Sequence, residues 1–130
     1  MSLTRRSLGR TLAFAYADRV GGRRRAAVIR AVTGDDVIIG EAELRHAMRH
    51  FTLPRDLVLS LISRVLENPT IVLVDDVRTP REYRLFYRLE DGRYLLAVVK
   101  ITLVGAFFAS MYPTGRSIRP SHRRFRRVLP

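Results

Sequence analysis

Two histidines, His46 and His50, lie four residues apart in a segment whose composition favours a helix. Residues four apart share one helix face, so both imidazoles would lie together, with Arg45 and Arg49 beside them. Imidazole titrates near neutral pH and suits general acid–base catalysis, and the flanking guanidiniums would hold an anionic substrate. The zinc-protease pattern His-Glu-x-x-His lacks its glutamate here, which disfavours a metal site. The alternative interpretation is two exposed polar histidines on a basic helix.

The chain's one lysine, Lys100, stands among 24 Lys and Arg residues, in a segment that alternates like a β-strand. Asp91-Gly92 favours a two-residue type I′ hairpin turn, and counting outward from that turn pairs Tyr83 with Lys100. Opposed residues share a sheet face, so a phosphate site is predicted from one cation, hydroxyl donors and aromatic rings. Its members are Tyr83, Tyr87, Lys100, Ser110 and Tyr112. The alternative is a mixed strand face with Lys100 extending to its edge.

Composition limits the classes of protein to consider. The chain has 130 residues, a formal charge of +12, 47% hydrophobic residues and no cysteine. It is too apolar for a disordered basic tail, and it has no ligands for thiolate zinc sites or iron–sulfur clusters. The charge indicates a polyanionic partner: nucleic acid first, an acidic protein or an anionic membrane second. No apolar run reaches the length of about 18 residues that a membrane span needs.

Periodicity predicts helices first and strands later. Helices are predicted over 41–50 and 54–67, the second because its apolar residues recur every three or four positions. From residue 70 the period is two, and strands are predicted over 71–74, 81–90, 93–102 and 106–112. Upstream, 8–20 is a candidate helix and 23–32 a helix or a strand. The predicted fold class is α+β, with N-terminal helices followed by a four-stranded antiparallel β-meander.

Three segments follow from these patterns. Residues 1–36 form a basic N-terminal segment without an assigned role, 37–115 an α+β domain, and 116–130 an arginine-rich C-terminal arm. In the arm, Arg123 and Arg124 are expected to contact phosphate, unless the arm is disordered and has no specific function. Two acidic pairs, Asp35-Asp36 and Asp75-Asp76, have the chemistry to hold Mg²⁺, but no third carboxylate lies at a supporting spacing.

The order of these features resembles the small barnase/EndoU/colicin/RelE-like nucleases of bacteria and phages, most of which are RNA-cleaving toxins. The resemblance covers about residues 37–115 and includes Tyr87-Arg88 before the Asp91-Gly92 turn, an apolar strand over 95–100, and three short motifs. They are His-x-x-Arg-His at 46–50, Leu-Glu-Asn-Pro-Thr-Ile-Val at 66–72, and Ser-Met-Tyr-Pro-Thr at 110–114. The last is similar to the family's Thr-x-Tyr-Pro-Thr close, with serine in place of the first threonine.

The resemblance implies an endoribonuclease that needs no metal or cofactor and acts on RNA, tRNA included, in the cytoplasm. The 2′-hydroxyl would attack its own 3′-phosphate and leave a 2′,3′-cyclic phosphate. His46 or His50 would act as acid or base, and Lys100 would stabilise the transition state together with Arg49. Ser110 and Tyr112 would complete the catalytic set. Further substrate contacts are expected from Arg45, Tyr83, Arg84, Tyr87, Thr114, Arg123 and Arg124.

The resemblance also implies an acidic immunity protein or antitoxin as a partner, and delivery as part of a secreted or phage protein. Two other functions remain open. One is a non-catalytic RNA- or DNA-binding domain, and the other is a basic scaffold in a phage or secretion particle. Binding does not separate catalyst from binder, because both would lose affinity as salt rises. Cleavage of RNA in a chelator separates them.

Overall fold

Short apolar segments form the strands of one mixed sheet in the computed structural model, which describes residues 24–75, 81–118 and 125–129. The strands are β1 (Arg25–Arg30), β2 (Asp36–Gly40), β3 (Ile71–Asp75), β4 (Arg81–Arg88), β5 (Tyr94–Thr102), β6 (Gly105–Thr114) and β7 (Arg126–Leu129). Their order across the sheet is β1-β2-β6-β5-β4-β3-β7. Neighbouring strands are antiparallel except β2 and β6, which are parallel.

Two helices, α1 (Glu41–Phe51) and α2 (Arg55–Glu67), follow β2 and pack on one face of the sheet. Leu44 and Ala47 of α1 are buried, and α2 buries Val58 and Ile62, so each helix turns an apolar stripe towards the strands. Thr52 ends α1 in a left-handed conformation with φ 54°, and its N–H donates to the carbonyl of Met48. We call the helix-covered face of the sheet the inner face and the opposite face the outer face.

The predicted fold class is wrong. The segment 23–32, left open as helix or strand, contributes β1, and two strands precede the helices among the described residues. Within the described residues the sheet has seven strands rather than four, because the β1–β2 hairpin joins it through the pairing of β2 with β6, and the C-terminal β7 pairs with β3. Both added pairings join segments far apart in sequence, which local periodicity cannot report. The candidate helix over 8–20 lies outside the described residues.

Side chains point alternately to the two faces along each strand, and the apolar ones form one cluster on each face. The inner cluster joins the helices to the odd-numbered residues of β4 and β5, among them Leu85, Leu95, Ala97 and Val99. The outer cluster contains Leu73, Phe86, Leu96, Val98 and Phe125. Residues 95–99 of β5 are all buried, since this central strand is covered on both faces.

The β4–β5 hairpin turns through three residues rather than the expected two. The N–H of Leu89 donates to the carbonyl of Arg93 at 2.7 Å, and the N–H of Gly92 donates to the carbonyl of Leu89 at 3.0 Å. Gly92 has φ 88°, as the last residue of such a loop requires. Lys100 therefore pairs with Glu82, and the predicted pairing with Tyr83 is wrong by one residue. A shift of one residue exchanges the two faces of a strand, so Tyr83 lies on the inner face.

The β1–β2 hairpin repeats this turn. The N–H of Ala31 donates to the carbonyl of Asp35 at 2.9 Å, and the N–H of Gly34 donates to the carbonyl of Ala31 at 3.0 Å. Gly34 has φ 92°, close to the value at Gly92. Asp36, part of a suggested acidic pair, is here the first residue of β2, and its carboxylate accepts from Arg30 at 2.6 Å. Both turns place glycine where other residues are strained.

Substitution of Gly92 by alanine tests the role of this turn. We expect Gly92→Ala to lower the free energy of unfolding by about 1–2 kcal/mol, because an L-residue is strained at this positive φ. The three atoms nearest to the added Cβ belong to the Arg116 side chain, and the nearest, at 3.7 Å, is at ordinary van der Waals distance, so the effect is conformational rather than steric. Gly115→Ala is the matched control, since its Cβ would meet nothing within 4 Å. Equal urea midpoints for the two variants would contradict this account.

An ion pair joins the starts of the two helices and has a defined pH dependence. Arg55 donates to both oxygens of Glu41 at 2.6 Å, and these hydrogen bonds lower the pKa of that carboxyl. A lowered folded-state pKa adds stability that is present above the unfolded value and lost as the pH falls through the folded value. We therefore expect Glu41→Gln to reduce the urea midpoint slightly near neutral pH, and the difference to vanish on acidification. A difference that persists at low pH would contradict the assignment.

Candidate active site on the outer face of the sheet

Polar side chains form a row across the outer face near one end of the sheet. Asp75 of β3 pairs with Glu82 of β4, and Glu82 pairs with Lys100 of β5. Directly opposed residues have Cβ atoms about 5 Å apart, so these groups are lateral neighbours. Asp75 and Glu82 are only 7% and 5% exposed, whereas Lys100 is exposed. The row brings buried carboxyl groups next to an accessible ammonium group.

Arg84 contacts both this polar row and the apolar part of the outer face. Its Nε donates to Oε2 of Glu82 at 2.8 Å, and the Glu82 side chain is 6% exposed. Its guanidinium carbon also lies 4.9 Å from the centroid of the Phe125 ring. That distance falls within the range of a cation–π contact. Arg84 is thus held by a carboxylate and by an aromatic ring at once.

Hydroxyl and aromatic groups line the outer side of β6 beyond this row. Ser110 pairs with Val98, Tyr112 with Leu96, and Thr114 with Tyr94. The Thr114 hydroxyl donates to the Tyr94 carbonyl at 3.4 Å. Val98, Leu96 and Tyr94 belong to the outer cluster or pack against it, so their three partners on β6 share that face. These groups therefore lie on the same face of the sheet as Lys100 and Arg84, as the phosphate-site prediction required of Lys100, Ser110 and Tyr112.

A β-bulge changes the register of β6 between these hydroxyl groups and the polar row. Val98 pairs with Ser110, but the next residue, Val99, pairs with Phe108. The extra residue lets Phe108 face the inner cluster, and it places Phe107 opposite Lys100 on the outer face. Without the bulge, Lys100 would pair with Phe108, and the β6 side chains on one side of the bulge would exchange faces. The bulge therefore decides that Phe107, rather than Phe108, lies opposite Lys100 at the end of the polar row.

The predicted histidine pair lies on the other side of the sheet. His46, His50, Arg45 and Arg49 are exposed on α1, which covers the inner face. His46 is two residues from buried Leu44, which places it about 160° away around the helix axis. It therefore points away from the sheet. His46 and His50 do not share a site with Lys100, because the sheet stands between them.

The two tyrosines predicted beside Lys100 are also separated from it. Tyr83 and Tyr87 are half-buried and pack against the inner cluster. A two-residue turn predicts both tyrosines on the Lys100 face. The observed turn has three residues, and it places them on the opposite face. Arg123 and Arg124 lie outside the described residues. The part of the chain that the structure describes contains no group of three His, Asp or Glu residues able to hold a metal ion, and Asp76 is outside that part.

Sequence reasoning missed Glu82 as a functional candidate. The signal was present, because Glu82, Arg84, Phe86 and Arg88 occupy alternate positions and must share one face. A three-residue count for the hairpin would have placed Glu82 opposite Lys100. The acidic pair at 75–76 suggests only a metal ligand in the sequence, whereas the pairing of β3 with β4 places Asp75 beside Glu82.

Comparison with known proteins adds one match. The family model described as phage-Barnase-EndoU-ColicinE5/D-RelE like nuclease2 matches residues 13–129. No curated protein and no solved structure matches the chain. Within the described ranges, neither helix has the length and hydropathy that crossing a bilayer requires. The match includes the segments of β1 and β7, which the resemblance over 37–115 had left out.

Substitution of Arg84 tests its ion pair with Glu82 of the polar row. We expect Arg84→Met to lower the free energy of unfolding by about 2–4 kcal/mol, because it leaves the buried Glu82 carboxylate without this partner. The double variant Glu82→Gln with Arg84→Met should recover much of that loss. Arg88→Met, at an exposed position of the same strand face, is the control and should cost less than about 0.5 kcal/mol. Additive effects of the two single substitutions would show that the pair is not coupled.

Proposed function

The chain belongs to the phage-Barnase-EndoU-ColicinE5/D-RelE like nuclease2 family, and from this premise we propose that it is a metal-independent endoribonuclease acting on the outer face of its sheet. Membership confirms the resemblance recognised in the sequence, and it supports nuclease activity. The proposal adds the substrate, RNA, the cleavage chemistry and the location of the active site.

The observation that carries the proposal is the position of Glu82, which pairs with Lys100 across the strands and accepts a hydrogen bond from Arg84 on its own strand. In the proposed reaction the Glu82 carboxylate accepts the proton of a ribose 2′-hydroxyl. The 2′-oxygen attacks the adjacent phosphorus, and the bond from phosphorus to the 5′-oxygen breaks. The 5′-oxygen takes up a proton from water, and the protonated Glu82 returns its proton to solvent, so the products are a 2′,3′-cyclic phosphate and a 5′-hydroxyl and Glu82 is again a carboxylate. Lys100 and Arg84 stabilise the charge that grows on the phosphoryl oxygens.

The rest of the outer face suits single-stranded RNA. Proteins recognise unpaired bases by stacking them on aromatic rings and by hydrogen-bonding their exposed edges. Phe107 and Tyr112 supply rings on this face, and Ser110 and Thr114 supply hydroxyl groups for phosphate or ribose. The formal charge of +12 would draw a polyanion to the surface. An acidic immunity protein or antitoxin, proposed here as the natural inhibitor, would benefit from the same attraction.

The histidine assignment remains a prediction and differs from this proposal in a testable way. If His46 or His50 is the acid or base, catalysis takes place on the exposed face of α1. If Glu82 and Lys100 act, it takes place on the other side of the sheet. Substitutions on the two sides therefore have opposite consequences.

The first experiment is incubation of the purified chain with tRNA and rRNA in EDTA, with analysis of the fragment ends. We expect fragments that end in 2′,3′-cyclic phosphate. Glu82→Gln and Lys100→Ala should each reduce the rate by about 10²-fold or more, because they remove the base or a stabilising cation. His46→Ala and His50→Ala should cleave like the unaltered chain. Urea unfolding curves for each variant show whether a reduced cleavage rate reflects a lost catalytic group or an unfolded chain.

Three results would overturn the proposal. Loss of cleavage in the histidine variants, with Glu82→Gln still active and folded, would move the site to α1. Intact RNA at every chain and salt concentration, with a gel shift still seen, would indicate the non-catalytic RNA- or DNA-binding domain instead. A requirement for added Mg²⁺ would exclude the metal-independent mechanism.

A further inference from the structure

Phe125 is an aromatic residue from the C-terminal segment that lies on the outer face of the sheet. It is 7% exposed and belongs to the outer cluster with Leu73, Phe86, Leu96 and Val98. It directly precedes β7, and that strand pairs with β3 through Arg126 opposite Val74. Backbone pairing therefore places Phe125 beside the strands that carry the polar row.

The Phe125 ring and the Glu82 carboxylate hold the same guanidinium group from two directions. The ring centroid lies 4.9 Å from the guanidinium carbon of Arg84, and Nε of Arg84 donates to Glu82 at 2.8 Å. An arginine side chain has many rotamers, so an ion pair alone costs entropy to maintain one of them. The contact with the Phe125 ring favours the same placement of the guanidinium, so the ion pair and the ring contact together offset the entropy cost of holding one rotamer.

The surroundings of Glu82 explain why the position of Arg84 is critical. Asp75 is the direct neighbour of Glu82 on β3, so the buried Glu82 side chain has a second carboxyl group beside it. Lys100 is the neighbour on β5, but it is exposed and free to extend towards solvent. Arg84 is 20% exposed, so of the two cations it is the one enclosed with Glu82.

We propose that Phe125 is a positioning residue for the nuclease, whose ring fixes Arg84 so that Arg84 holds Glu82 beside Lys100. This inference rests on the proposed function, since it gives Glu82 its catalytic task. It also assigns the C-terminal segment a role that an arginine-rich arm would not have: its aromatic residue completes the site from outside the β3–β6 strands. Phe125 touches neither RNA nor the reacting atoms in this proposal.

The test compares Phe125→Leu with Phe125→Tyr in RNA cleavage by the full chain. Leucine keeps an apolar side chain but removes the ring, whereas tyrosine keeps the ring. We expect Phe125→Leu to lower kcat about five-fold, the equivalent of one cation–π contact, with KM almost unchanged. Phe125→Tyr should restore kcat to nearly that of the unaltered chain. Val128→Ala, at a half-buried position of β7, is the control for general destabilisation and should leave kcat unchanged.

A second measurement is independent of activity. A double-mutant cycle of Phe125→Leu with Arg84→Met in urea unfolding measures the coupling between ring and guanidinium, and we expect the two effects to be non-additive. Additive effects, or equal losses of kcat in the leucine and tyrosine variants, would refute the positioning role alone. Full activity in Glu82→Gln would instead refute the proposed function, whatever the Phe125 variants do. A chain that cleaves no RNA would remove both proposals.

Discussion

The register of the β4–β5 hairpin determines which side chains of the two strands face the helices and which face the opposite side. It is set by a three-residue turn that ends at Gly92, whose positive φ suits glycine best. A strand repeats every two residues, so an error of one residue would send Leu85 outwards and Glu82 into the helix-covered core. The apolar core and the polar row therefore depend on the same turn.

The two faces of the sheet have different tasks as a result. The inner face is closed by α1 and α2 over an almost entirely apolar cluster. The outer face has apolar residues in its middle, with the polar row of Asp75, Glu82 and Lys100 at one end. A buried carboxylate next to cations costs stability unless each charge has a partner, and this is what Arg84 supplies to Glu82. In the proposed active site, that cost places charged groups where they would act on a phosphodiester.

Described segments on both sides of residues 37–115 contribute strands to the same sheet. β1 extends the sheet beyond β2, and β7 extends it beyond β3, so both edge strands come from segments that the sequence had set apart as basic extensions. The family match over 13–129 agrees with this wider unit. With Phe125 on the outer face, the C-terminal segment also reaches the part of the sheet where we place the chemistry.

The sequence by itself determined the elements from residue 41 to 114 and the family. Helical and strand periodicities and the Asn-Pro stop at 68–69 are local signals, and the observed bounds of α1, α2 and β3–β6 lie within a few residues of those predicted. Only the tertiary structure decided the register, the added strands and the separation of His46 from Lys100. A three-residue and a two-residue turn both accept Asp91-Gly92, and a short apolar segment becomes a strand only when a distant partner offers hydrogen bonds. Glu82 was missed for the same reason: its neighbours Asp75 and Lys100 are defined by pairing across strands, which depends on contacts that no local window of sequence contains.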